Sequence, residues 1–173
     1  MAGDIKPKYL SSFSIVSSGL NSLAASSSRL AGYETNAIDL AGYSGGPLSD
    51  LLIAGHFTAA STNSQVGQID VWVIGSQNDT PRWPDVFDGT ASTETVTSAN
   101  ILSSSGRLAI SITGDNVASR VYDFGPISVA ALFGPYMPKR IVLFVAHNIH
   151  TTTNAWHSSG HEIWGTPVLD QYT

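Results

Sequence analysis

Cysteine is absent from the 173-residue chain. That excludes a disulfide framework, a thiolate metal site and a cysteine nucleophile. Charge is scarce as well: 12% of residues are Asp, Glu, Lys or Arg, about half the share in ordinary domains. The cations stand singly at Lys6, Lys8, Arg29, Arg82, Arg107 and Arg120, with one adjacent pair, Lys139 and Arg140, and the net charge is −5. No basic stripe exists to neutralise phosphates, so nucleic acid is not an expected partner. No apolar stretch approaches the roughly 18 residues of a membrane span. The opening MAGDIKPKYLSSFSIV breaks its apolar run with serines and makes a poor signal peptide. No fixed-period repeat is present, which disfavours a propeller or solenoid.

Catalytic signatures are missing too. There is no H-E-x-x-H and no G-x-S-x-G. Gly45-Gly46 is not followed by the Lys of a phosphate loop and reads as a turn. Asp79, Asp85 and Asp88 fall in one loop, but without EF-hand spacing they read as a solvated turn rather than a Ca²⁺ site.

What the chain has instead is Ser and Thr, in runs such as 26–28, 103–105 and 151–153, together with 42% hydrophobic residues. That apolar share argues against disorder, and the length suits one domain with a real core. Small hydroxyls cost less to desolvate than charges, so such a surface suits contact with other protein.

Residues 1–32 read as an N-terminal arm or a short helix, with a weak helical stripe at Leu20, Leu23, Ala24 and Leu30. Residues 33–173 read as a β-sandwich domain. Strand signals fall at Ala37–Leu40, Leu51–Ala60, Gln68–Ile74, Thr93–Thr97, Arg107–Thr113, Arg120–Phe124, Arg140–Ala146 and His161–Thr166. Segments 68–74 and 107–113 alternate with period two. Segment 140–146 is continuously apolar and predicts a strand buried on both faces. Ser128–Phe133 predicts one turn of helix. About eight short strands without a long amphipathic helix imply an all-β, antiparallel sandwich or barrel.

The segment from Pro126 to Val168 holds four of the five histidines: His147, His150, His157 and His161. Several imidazoles could bind Zn or Ni. The spacings of three and four suit a helix, however, and a strand puts residues three apart on opposite faces. The expectation is hydrogen-bonded loop or interface histidines, with a His-based metalloenzyme as the third functional reading. Among the aromatics, Trp83, Phe87, Tyr43 and Trp156 are candidate interface anchors. Trp83, Trp156 and Trp164 also motivate the second reading, a tail-fibre or tail-tip module that stacks host glycan on flat rings.

The first reading comes from a resemblance. Gly125-Pro126-Ile127-Ser128-Val129-Ala130, then Phe133-Gly134 and Met137-Pro138, lead into Ile141–Val145 and His147-Asn148. Ser158-Ser159-Gly160 then leads to Gly165 and Val168, and the front carries SGLNSLAASSSRLAGYETNAIDL. In this order the chain resembles tailed-bacteriophage capsid decoration, or cement, proteins. It departs at Ile149-His150-Thr151-Thr152-Thr153, where the family has a small polar and glycine turn. The resemblance implies a jelly-roll-like sandwich on the outer capsid surface of the virion, made in the host bacterial cytoplasm. It implies a non-enzymatic protein that clamps neighbouring copies of the major capsid protein and forms homodimers or homotrimers. No catalytic residue, cofactor or small-molecule substrate comes with it.

Overall fold

The computed structural model describes residues 4–43, 46–61, 66–134, 136–149 and 156–172. Eleven strands and two short helices follow one another along these residues: β1 (Ile5–Tyr9), β2 (Phe13–Val16), β3 (Ala31–Glu34), β4 (Ile38–Asp39), β5 (Asp50–Thr58), β6 (Gln68–Ser76), β7 (Ser92–Thr95), α1 (Ala99–Ser105), β8 (Gly106–Thr113), β9 (Val121–Ser128), α2 (Val129–Phe133), β10 (Arg140–His147) and β11 (Glu162–Tyr172). One sheet runs β1-β11-β5-β9, with β2 also on β11. The other runs β7-β3-β10-β6-β8, with β4 also on β10.

Every pairing is antiparallel. The nested pairs β2–β11, β3–β10, β5–β9 and β6–β8 are those of an eight-stranded roll. Strand orders 2-11-5-9 and 3-10-6-8 make it a jelly roll. The expected all-β sandwich of jelly-roll type is therefore present, with β1, β4 and β7 added to its eight strands.

Alternation places the core. Leu51, Ile53 and Phe57 of β5 meet Ile69, Val71 and Val73 of β6 and Ile141, Leu143 and Val145 of β10 between the sheets. The other face of β10 is equally dry. Val142, Phe144 and Ala146 pack under Phe87, Val96 and Leu102, supplied by the excursion between β6 and β8. That second core is why the 140–146 run lacks polar alternation. Gly32 of β3 fits the approach, since a Cβ there would lie 2.4 Å from the Val145 carbonyl oxygen.

For the N-terminal region the expectation is an arm or a short helix. No helix forms over 17–30. The segment crosses the sandwich as turns, and Leu20 and Leu23 are buried in the main core. Serine is a poor helix former, and here apolar burial supports the irregular path. Arg29 secures it, its Nε donating to the buried Asp70 carboxylate at 2.6 Å while Ser111 Oγ donates to the other oxygen at 2.6 Å. Two other boundaries moved. β9 runs on through Pro126 to Ser128, and β11 extends past Pro167. Pro167 is tolerated in that inner strand because its missing donor faces the gap where β2 ends and β1 begins. There its carbonyl accepts Leu10 N–H at 2.9 Å.

Leu20→Ala tests the corrected assignment. Deleting a buried leucine side chain should cost about 2–5 kcal/mol in denaturant unfolding. An unchanged midpoint would mean that the segment is not part of the core.

Candidate functional site

The histidines were the strongest chemical candidates in the sequence, and the structure gives two of them internal work. Trp156 stacks on two imidazoles. The His147 ring is 4.4 Å away at 18° and the His161 ring 5.0 Å away at 20°. Phe57 extends the stack at 4.9 Å, and Phe124 follows at 5.1 Å from Phe57. His147 comes from the end of β10, His161 from the residue before β11, and Phe57 from β5.

Backbone partners fix both tautomers. Thr58 N–H donates to His161 Nδ1 at 3.2 Å, so the proton sits on Nε2, which donates to the His157 carbonyl at 2.8 Å. His147 Nε2 lies 2.9 Å from the Leu23 carbonyl, which can only accept, so this nitrogen carries the proton. Its Nδ1 is buried beside the Ile149 backbone and, among the described residues, makes no hydrogen bond of good geometry. Trp156 N–H donates to the same Leu23 carbonyl at 2.9 Å, and Ser26 N–H donates to the His147 carbonyl at 2.7 Å. The stack therefore ties the N-terminal segment to the closing strand.

This geometry does not make a chelate. The lone pair of His161 is engaged by Thr58, and both imidazoles are stacked on Trp156. His157 holds its Nδ1 against Ser159. His150 lies outside the described residues. Among the described residues no three His, Asp or Glu side chains are placed to hold a metal ion. The acidic loop is similarly occupied. Asp85 accepts Thr97 N–H and Oγ1–H at 2.7 Å each, contacts that hold its carboxyl below the usual range. Asp88 accepts Thr90 N–H at 2.7 Å, and Asp79 pairs with Lys139. Glu34, buried in β3, accepts Gly89 N–H at 2.8 Å and Asp88 N–H at 3.3 Å. Desolvation pushes its pKa up.

The aromatic candidates separate into two groups. Trp156 and Phe87, at 4% and 5% exposure, are core residues. Phe87 meets Phe144 edge-on at 5.3 Å. Trp83 is half-buried with its ring edge over Gly89, and belongs to the second core. Tyr43 is half-buried and tilted against Phe13 at 6.5 Å. It lines a cleft of about 350 Å³ shared with Phe13, Ile15, Asn36, Ile38 and Asp39. Of the three tryptophans offered for glycan stacking, Trp164 alone points outward, paired edge-on with His56 at 6.0 Å.

Sequence reasoning missed the part played by His147 and His161 because their partners, Leu23 and Thr58, lie 124 and 103 residues away. No protein-family model, curated protein or solved structure matches the chain.

Burial pushes the His147 pKa down to about 4 from 6.5, with the neighbouring His161 adding slightly in the same direction. His161 is lowered too, again chiefly by desolvation, with His157 and His56 beside it. An imidazole that is neutral when folded but titrates normally when unfolded stabilises fully above pH 6.5 and loses that contribution as pH falls toward 4. At 1.36 kcal/mol per pKa unit, His147 alone accounts for about 3 kcal/mol. Denaturant unfolding should weaken across this window, and His147→Phe should flatten the slope. An unchanged slope in the variant would remove His147 as its source.

Proposed function

We propose that the chain is a structural virion protein that binds the outer surface of a tailed-phage capsid and cements neighbouring major capsid protein subunits. The observation that carries the reading is how the fold distributes its polar chemistry. The groups most able to do catalysis or bind metal, His147, His161, Glu34 and Asp70, are buried and hydrogen-bonded within the scaffold. The rest of the chain supplies much Ser and Thr and little charge. Such a surface can dock on protein with a low desolvation cost. Weak contacts repeated over many symmetric copies add up to high avidity. The resemblance of the 125–168 segment to decoration proteins points the same way. Jelly rolls also occur in viral capsid and lectin domains, an analogy of fold rather than of site.

Cryo-electron microscopy of purified virions tests the proposal. Density for this jelly roll is expected on the capsid exterior at symmetry-related positions. Its absence from the particle would reject the proposal, as would its presence at the tail tip with glycan binding there.

A further inference from the structure

Sheet edges invite strand addition, and proteins usually blunt them. Most free edges here are blunted. β2 and β7 have four residues each. β8 is contacted by both α1 and α2. β9 carries Pro126 and a register shift against β5. The outer edge of β1 is blunted by Pro7. Leu10 N–H donates to the Pro167 carbonyl, and this fixes the alternation of the β1–β11 ladder. Lys6 and Lys8 turn their backbone groups toward β11, while Ile5, Pro7 and Tyr9 turn theirs outward, where Pro7 has no N–H to offer.

The end of β11 lacks any such device. On β11 the same alternation turns Leu169 and Gln171 toward β1, and Asp170 and Tyr172 toward the other side. That side has lost its strand. β5 begins at Asp50 opposite Val168, and the last bond there is Ser49 N–H to the Val168 carbonyl at 2.9 Å. Beyond it opens a cleft of about 630 Å³ lined by Leu48, Ser49, Ala130, Tyr136, Met137 and Asp170. Tyr136 is 80% exposed. The β1–β11 end is thus a two-stranded ribbon, exposed along all of β1, with Ile5 at 57% and Tyr9 at 64%. A ribbon of two strands is marginal in water and gains from a third.

We infer that the third strand is β11 of a second copy, paired antiparallel about a two-fold axis through Gln171. The edge is complementary to itself. In this register Asp170 of one copy faces Tyr172 of the other, so the N–H and C=O of both residues are satisfied in each copy. Sliding the axis to Asp170 would set two carboxylates opposite each other, which is unfavourable. The other edge of the ribbon cannot substitute, because Pro7 sits at its centre. Closed two-fold pairs are also the commonest assembly of identical chains. The inference concerns the chain alone and stands or falls apart from the capsid proposal.

The chain has no cysteine, so an introduced thiol reports a single contact. Gln171→Cys should form a covalent dimer under mild oxidation, because the axis sets the two residues within disulfide reach. Val117→Cys, exposed on the 114–120 loop, should not. Asp170→Pro removes one donor from the open edge and leaves the β1 ladder intact. Sedimentation equilibrium should find a wild-type dimer that this variant loosens at least about tenfold, with the unfolding midpoint unchanged when both proteins are diluted until monomeric. A wild type that remains monomeric at its solubility limit overturns the inference. So does Gln171→Cys that stays uncrosslinked, or a dimer that Asp170→Pro leaves as tight as before.

Discussion

The stacking of Trp156 with two neutral imidazoles is the contact on which the arrangement of the chain most depends. It joins four stretches far apart in sequence: the N-terminal turns through Leu23, β5 through Phe57 and Thr58, the end of β10 through His147, and the approach to β11 through His161. Both imidazoles must be uncharged for this to work. A buried cation would lack a counter-charge, and its desolvation would outweigh the stacking gain. Histidine suits the position because a neutral imidazole is flat enough to stack and still donates one hydrogen bond to a backbone carbonyl, Leu23 for His147 and His157 for His161.

Around that stack the molecule has two dry layers where a simple sandwich has one. Sheet β7-β3-β10-β6-β8 is covered inside by the opposing sheet and outside by the excursion carrying Trp83, Phe87, Val96 and Leu102. Glu34 anchors the middle of that excursion by accepting the amides of Asp88 and Gly89, and Asp85 ties the 85–88 turn to Thr97. Carboxylates that a sequence places in one acidic loop are thereby dispersed into separate structural tasks.

The legibility of the fold followed local chemistry. β5, β6, β8 and β10 were readable because alternation or continuous apolar character reports burial directly. β1 was not, since IKPKY is exposed along its length and holds a proline and two lysines. α1 was equally silent: ANILSSS buries only Leu102 and has no side-chain cap. Leu20 and Leu23 carried a true signal of burial that was read with the wrong period. At the candidate site, strand geometry was the reason to expect hydrogen-bonded histidines. The actual partners could not be foreseen, because they are backbone groups that only the tertiary fold brings near. The burial of Trp156 and Phe87 was invisible for the same reason, as aromatic residues in loops look alike whether they dock inward or outward.

The position of β11 has a consequence for how the protein is made. This strand lies inside its sheet, between β5 on one side and β2 and β1 on the other, yet it is the last element in chain order. On a ribosome, β1 and β2 emerge first and have no partner until β11 follows them out. Throughout that interval the apolar edge of β5 is also uncovered. Non-local pairing of this kind folds slowly and leaves strands exposed to other chains meanwhile. Pro7 and the lysines at 6 and 8 therefore blunt an edge of the nascent chain as well as of the finished one, because they sit in a strand that waits for β11.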